Sequence, residues 1–513
     1  MLAGSGLVSP VRPDRLVGMG RSLARWGMSP ATAVAAAAAR DPHRVAVIDE
    51  DGSVTYAELD RRSNAVARGL RQLGVRERDN VALLARNSRQ FLLAQAAVAK
   101  VGADLIYLNT GFSGPQVGDV VRGEKVALLI ADEEFAGRIA EAAPSVPLVT
   151  GLDELAAGDD RASPRPRHTG RHVILTSGTT GRPKAAPREA PGAVTGAESL
   201  LSLLDAIPLR ARETTVLAAP MFHAWGLSNL IVALVLSSTL LLRRRFDPAE
   251  TMGLLAAHDA TALVAVPVML QRIVELRDAP TITPGLRIAA VSGSSIPASV
   301  AERFMDTYGD VVYSLYGSTE VAFICVAGPR ELREAPGTAG RPLHQVSLRI
   351  VDDAGREVPP GTPGRIFAGN GLTFDGYSGG LDGERLGALV ATGDLGLLDS
   401  AGRLQLVGRA DDMIVSGGEN VHPAEVEECL QAHPAVADVA VIGADDERFG
   451  QALVAHVVRR PTPESEAVSA AELRTHVRQQ LAAYKVPRDV VFHEALPRNE
   501  TGKVLKRMLA EPT

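Results

Sequence analysis

Nine consecutive residues, Thr176-Ser177-Gly178-Thr179-Thr180-Gly181-Arg182-Pro183-Lys184, put four hydroxyls, two glycines and a terminal ammonium into one short segment. Glycines free the backbone to bend, and backbone N–H groups together with hydroxyls can then surround phosphate oxygens. Lys184 adds a cation to that cradle. The string is not the common P-loop, because Arg182-Pro183 separates the second glycine from the lysine and no Lys-Ser/Thr pair follows. Four charged residues further along invite chemistry only as a set. Alone, Asp394 after Gly393 reads as a turn former, Lys503 in Thr501-Gly502-Lys503-Val504 as a solvated charge, Arg409 as a surface ion pair and Glu320 as a helix start.

The elements that must position these residues follow a βα alternation. His172-Val173-Ile174-Leu175 is a strand leading into the hydroxyl-rich string. Val45 to Asp49, Ser53 to Tyr56, Asn80 to Leu84 and Val126 to Ala131 read as short strands. Thr32 to Ala39, Tyr56 to Leu73 (ending at Gly74) and Ser88 to Lys100 have the spacing of helices. Such alternation predicts a largely parallel sheet covered by helices. It resumes from Gly192 to about Gly309. From Val346 on, short strands separated by Asp-Asp-Ala-Gly, Pro-Pro-Gly-Thr-Pro-Gly and Asp-Ser-Ala-Gly predict an antiparallel, barrel-like β region. Past Gly408 the pattern becomes a small α+β unit, with helices over Ala424 to Ala432 and Ala470 to Leu481 and strands over Val436 to Ile442 and Leu453 to Arg459. The expected architecture is α/β: a leader over 1–29, a large N-terminal domain over 30–408, and a small C-terminal domain over 409–513.

A chain of 513 residues exceeds what one core supports, so at least two folding units are required. The formal net charge of −6 argues against nucleic acid as the main partner. Two cysteines, Cys325 and Cys429, are too few for a disulfide framework or a zinc site and read as reduced thiols of a cytoplasmic protein. The longest apolar stretch, Leu230 to Leu242, is shorter than the roughly 20 residues needed to span a bilayer. Arg12 to Trp26 carries four arginines among apolar residues and reads as a mobile basic leader, or as a segment that touches a membrane surface.

Six ordered motifs together resemble the adenylate-forming superfamily: acyl- and aryl-CoA synthetases, peptide-synthetase adenylation domains and beetle luciferases. They are the 176–184 string, Tyr316-Gly317-Ser318-Thr319-Glu320, Thr392-Gly393-Asp394, Gly408-Arg409-Ala410-Asp411-Asp412, Ser416-Gly417-Gly418-Glu419-Asn420-Val421 and Asn499-Glu500-Thr501-Gly502-Lys503. The similarity runs from about Pro30 to Arg507. It implies an acyl-CoA synthetase that uses ATP, Mg²⁺ and CoA. Thr176, Ser177, Gly178, Thr179, Thr180 and Lys184 would hold phosphates, with Thr180 also counted among the catalytic groups. Ser294, Tyr316, Gly317, Ser318, Thr319, Asp394 and Arg409 would complete the nucleotide site. Glu320 would hold Mg²⁺, which favours carboxylate, water and phosphate oxygens. Lys503 would bridge the substrate carboxylate and the α-phosphate. The resemblance further implies a mobile C-terminal domain that turns about Asp411, so that Lys503 serves adenylation in one state and Gly417 and Gly418 line a thiol tunnel in the other.

Pro220-Met221-Phe222-His223-Ala224-Trp225-Gly226 resembles the pocket entry of synthetases for hydrophobic acids. No Asp is present there to pair an α-ammonium, which disfavours an amino-acid substrate. Phe222, His223, Trp225, Val266, Gly293 and Gly317 are the expected walls, with His223 also a candidate catalytic group. Ala185-Ala186-Pro187, Val415 and Tyr377-Ser378-Gly379-Gly380 depart from the usual family pattern but remove no charge that adenylation requires. An acyl-AMP ligase loading a carrier protein is the alternative within the class, and a non-catalytic nucleotide- or acyl-binding protein the alternative outside it. A homodimer is left open.

Overall fold

In the computed structural model the described residues are Gly6, 12–177, 183–188, 192–276, 285–318, 320–373, 384–410, 412–416, 419–446, 450–499 and 502–510. Among them, two sheets share one large apolar core and a third forms a C-terminal lobe.

The first sheet has the spatial order Leu148–Thr150, Leu128–Ala131, Asn80–Leu84, Asp104–Tyr107, His172–Ser177, Pro183–Arg188. All neighbours are parallel except the last pair. Parallel strands are covered on both faces, and these strands divide their side chains between two cores. Val81, Leu83, Leu105 and Tyr107 enter the large core, while Ala82, Leu84, Ile106 and Leu129 enter a second one. The strand Pro183–Arg188 departs from the sequence reading, which carried the loop through Lys184. It sits at the sheet edge and faces His172–Ser177, with Thr176 opposite Lys184. Pro187 has no N–H to give, and an edge strand tolerates that.

The second sheet carries a parallel run, Val45–Asp49, Thr239–Leu241, Thr214–Leu217, Ala262–Ala265, Ile288–Val291, Val312–Ser318. It continues through Ala322–Ala327 and Thr338–Pro342 into an antiparallel set, Leu404–Arg409, Leu389–Leu398, Gly364–Gly369 and Ser347–Val351. The apolar stretch Leu230 to Leu242 splits between helix Ala224–Val235 and strand Thr239–Leu241. Among the described residues no helix is long and apolar enough to cross a membrane.

Pro13–Trp26, placed above in a mobile leader, is a helix. Proline at its start and Asp14 in its first turn suit helix initiation. Trp26 packs with Ala31, Ala35 and Ala99, and Arg15 donates to the Arg40 carbonyl at 2.7 Å. These contacts hold the segment against the body. In the C-terminal lobe, helices Pro423–Gln431 and Ala470–Gln480 cover a sheet through Val426, Leu430, Leu473 and Val477, which pack on Val441, Leu453, Ala455 and Val457.

Candidate active site

Several of the residues singled out in the sequence lie at or just beyond the C-terminal ends of parallel strands, where ligands of open α/β sheets bind. Phe222 and His223 follow Thr214–Leu217, Val266 follows Ala262–Ala265, and Gly293 and Ser294 follow Ile288–Val291; Arg86 and Asn87, which the sequence did not single out, follow Asn80–Leu84 in the same way. Tyr316, Gly317 and Ser318 end the strand Val312–Ser318, and Glu320 sits in the turn beyond it.

Tyr316, Asp394 and Arg409 form one hydrogen-bonded set. The Tyr316 hydroxyl donates to Asp394 Oδ2 at 2.6 Å, and Arg409 Nη1 approaches Asp394 Oδ1 at 3.3 Å. Asp394 and Arg409 are direct partners across adjacent antiparallel strands, so the ladder itself brings acid and base together. Gly393 has φ +76, and a Cβ there would lie 3.0 Å from the Arg409 guanidinium. Glycine suits the positive φ of the turn and leaves room for the arginine's approach. Burial pushes the Asp394 carboxyl above its ordinary range, opposed by Tyr316, Arg409 and the charge of Lys503. Burial, and next the charge of Asp394, push the Tyr316 hydroxyl up, so it stays a neutral donor. Gly317 is equally constrained: a Cβ on it would lie 2.0 Å from the Ala322 carbonyl oxygen. The turn beyond is tied by Val321 N–H donating to Ser318 Oγ at 3.1 Å.

On the other side stands the 218–223 loop. Asn87 grips it from the neighbouring sheet: Nδ2 donates to the carbonyls of Leu217 (3.1 Å) and Ala219 (2.9 Å), and Oδ1 accepts from Met221 N–H at 2.9 Å. Sequence reasoning missed Asn87, whose signal is visible only once its three partners are in place. Phe222 and His223 are in ring contact at 4.5 Å. Burial lowers the His223 imidazole to about 4, so it is neutral at ordinary pH, and Nε2 is buried with no hydrogen-bond partner among the described residues. Trp225 differs from its expected place. It is buried in helix Ala224–Val235 and spends its indole N–H on the Ala265 carbonyl at 2.9 Å.

A cavity of about 590 Å³ opens here, lined by Phe222 and Val266 but not by His223, Trp225, Gly293 or Gly317. Its rim is basic: Arg86, Arg243, Arg244, Arg245, Arg272 and Arg498. Several are ion-paired, Arg86 with Glu134 at 2.7 Å and Arg244 with Asp132 at 3.0 Å. The run Arg243-Arg244-Arg245 was legible in the sequence; the face it occupies was not.

The C-terminal lobe contributes Lys503 on a tight hairpin. Asn499 N–H donates to the Lys503 carbonyl at 2.9 Å, and Lys503 N–H donates to Asn499 Oδ1 at 2.8 Å. Asn499 and Gly502 line the cavity while the Lys503 side chain is exposed. Arg498 Nη2 meets both Asp438 oxygens at 2.6 Å.

Thr176 and Ser177 end their strand and Lys184 lies on the returning one. Gly178, Thr179, Thr180, Thr319, Asp411, Gly417 and Gly418 lie outside the described residues. No cluster of three His, Cys, Asp or Glu side chains that could hold a metal ion occurs among the described residues. A single carboxylate such as Glu320 still fits Mg²⁺, which keeps its waters and takes its remaining oxygens from phosphates.

Comparison with known proteins agrees with this geometry. Residues 34–378 match the AMP-binding enzyme family and residues 425–503 match the AMP-binding enzyme C-terminal domain. The chain is 33% identical over 479 residues to a 2-succinylbenzoate–CoA ligase of Bacillus cereus, covering 92% of this chain and 96% of that one. It is 33% identical over 473 residues to a feruloyl-CoA synthase of an Amycolatopsis species, covering 91% and 95%. Its fold is similar to that of o-succinylbenzoate CoA synthetase from Bacillus subtilis in complex with its acyl-adenylate intermediate, with a TM-score of 0.83, 29% identity and coverage of 94% and 98%. The chain belongs to the AMP-binding enzyme family.

Proposed function

We propose that this protein is an AMP-forming acid–thiol ligase that activates a hydrophobic carboxylic acid with ATP and passes the acyl group to CoA. The observation that carries the reading is the meeting of two sets of groups. A partly buried Tyr316–Asp394–Arg409 set stands on one lobe, and the hairpin that carries Lys503 on the other lobe lines the cavity through Asn499 and Gly502.

The assigned roles follow from charge. In the first step a substrate carboxylate oxygen forms a bond to the α-phosphorus of ATP, and the bond to pyrophosphate breaks. Two anions must approach, so catalysis consists mainly of neutralisation and positioning. Lys503 supplies the mobile cation. Asp394 accepts from ribose hydroxyls, Arg409 orients Asp394, and Tyr316 offers its ring to the purine. Thr176, Ser177 and Lys184, with the loop between them, take the phosphates. Mg²⁺ held at Glu320 would supply further positive charge beside the phosphates. In the second step the CoA sulfur bonds to the acyl carbon, AMP leaves, and the thiol proton passes to solvent. The arginine-rich rim suits an acceptor that carries phosphates. His223, uncharged and with Nε2 unmatched, offers a hydrogen bond at the acid pocket without adding charge.

Phe222 and Val266 favour an apolar acid. Aryl acids are the first choice for test, because the names of both sequence relatives carry one. The experiment is pyrophosphate release with ATP, Mg²⁺ and a panel of alkyl, aryl and polycyclic acids, with and without CoA. Turnover that requires CoA and yields a thioester supports the reading. Adenylate that accumulates and ignores CoA would move the assignment to a carrier-protein ligase. No release with any acid would overturn both.

A further inference from the structure

One face of helix Pro267–Val274 and its C-terminal end meet the C-terminal lobe at three places. Val268 lies under the hairpin: a Cβ built on Gly502 would come within 2.3 Å of Val268 Cγ1, and Gly502 has φ +78. Gln271 Nε2 donates to the Ala437 carbonyl at 2.7 Å. Glu275, just past the helix, faces Arg460 at 3.8 Å. Positions 268, 271 and 275 follow the i, i+3, i+7 spacing that places side chains on one face of a helix. The middle contact adjoins the hairpin's own anchor. Ala437 precedes Asp438, whose carboxylate is gripped at both oxygens by Arg498, and Arg498 Nη1 also donates to the Gly502 carbonyl. A continuous chain of contacts therefore runs from Gln271 through Ala437, Asp438 and Arg498 to Gly502 and Lys503.

We propose that this helix face is a docking rail for the C-terminal lobe, and that Gln271 and Asp438 are positioning residues that hold the Lys503 hairpin in place for adenylation alone. The proposal rests on the assignment of Lys503 as the catalytic cation. It assigns to the rail the choice between half-reactions: contacts that join the lobes in this arrangement stabilise the state that forms acyl-AMP and are dispensable for thioester formation. Gln271 is suited to a clean test. The Ala437 carbonyl also accepts from Gln431 Nε2 of its own lobe at 3.0 Å, so losing Gln271 leaves no buried acceptor unsatisfied in the C-terminal lobe.

The test uses the full chain with Gln271→Leu, Asp438→Asn and, as reference, Lys503→Ala. Three readouts are compared: acid-dependent exchange of pyrophosphate into ATP, thioester formation from CoA and supplied acyl-AMP, and Tm. The acid is the one with highest turnover in the pyrophosphate-release panel, used with its synthetic adenylate. Lys503→Ala is expected to lose exchange by about 100-fold or more. Gln271→Leu should lose roughly three- to tenfold and Asp438→Asn about tenfold, through kcat with KM for ATP unchanged. Thioester formation and Tm should stay near wild type in Gln271→Leu. Exchange lost in Lys503→Ala but untouched in Gln271→Leu and Asp438→Asn overturns the rail. Equal losses in both half-reactions overturn it as well, because a purely structural role gives that result. Exchange that survives Lys503→Ala overturns the assignment beneath it.

Discussion

The two halves of the candidate site are built on opposite principles. The Tyr316–Asp394–Arg409 set is assembled from neighbouring strands of one sheet. Its groups are partly buried, and its geometry follows from strand register. The Lys503 hairpin belongs to another lobe, is exposed, and reaches the site through a handful of contacts along helix Pro267–Val274. A site that binds a nucleotide gains from groups fixed in advance, since preorganised groups need no rearrangement at the moment of reaction. A cation needed in only one of two steps gains from being removable. The division teaches that damage on the sheet side should appear as lost nucleotide affinity, and damage on the hairpin side as one lost half-reaction.

The strongest attack on that comparison is Lys503→Ala. Adenylation should fall by about 10²–10³, while thioester formation from supplied acyl-AMP stays within a few-fold of wild type. Rapid-quench measurement of each half-reaction checks this, and parallel loss of both would erase the distinction. Next comes Asp394→Ala, which removes the proposed ribose acceptor and leaves Tyr316 and Arg409 without their shared partner. Here kcat/KM for ATP should drop by roughly 10–100-fold, mostly in KM, because a partly buried charge-assisted set is broken. A fall in kcat alone would contradict binding as its role. Gly502→Ala sharpens the hairpin side. The new Cβ meets Val268 at 2.3 Å in a backbone region unfavourable for alanine. Adenylation should slow about tenfold while the rate from acyl-AMP holds, as read by the same pair of assays.

Acid should strain the sheet lobe. His172 and His223 are both partly buried, and desolvation lowers each to about 4. An unfolded histidine takes up its proton near pH 6.5, whereas these stay neutral in the fold until about pH 4. Between those values the unfolded state binds more protons, so stability falls as pH falls, by about 1.4 kcal/mol per pH unit for each histidine. Thermal melts from pH 7 to 4.5 measure the slope. His172→Gln should make it shallower; an unchanged slope would remove His172 from the account.

Much of this was readable before any coordinates, for a local reason. Strands such as Asn80–Leu84 and helices such as Ala470–Gln480 announce themselves through period and caps within their own residues. The motif strings likewise carry their residue types in order. What stayed hidden depends on contacts between distant residues. The Tyr316–Asp394 bond joins positions 78 apart, and the Gln271–Ala437 bond joins positions 166 apart. Trp225 shows the same dependence from the other side. Its place in a pocket-entry motif suggested a wall; its N–H goes to the Ala265 carbonyl and its ring packs in the large core, contacts that only the fold reveals. The Asn87 clasp was equally illegible, since its three partners are backbone groups that any sequence supplies.

The smallest expected effect probes how rigid the sheet side is. Cys325 lies directly across the strand pair from Tyr316, is fully buried, and packs with Val321 and Ile324 in the cluster that Tyr316 joins. Burial, and next the charge of Glu331, raise its thiol, so it is neither nucleophile nor ligand. Cys325→Ser keeps the shape but places a hydroxyl among apolar neighbours, at a cost of about 1–3 kcal/mol unless it finds a partner. If strand register alone fixes Tyr316, Tm should drop while KM for ATP stays within twofold of wild type. Cys429→Ser, at a half-buried position in the other lobe, should move neither. A rise in KM for ATP in Cys325→Ser would mean that the packing beneath Tyr316, as well as its hydrogen bond to Asp394, sets the ring proposed to face the purine.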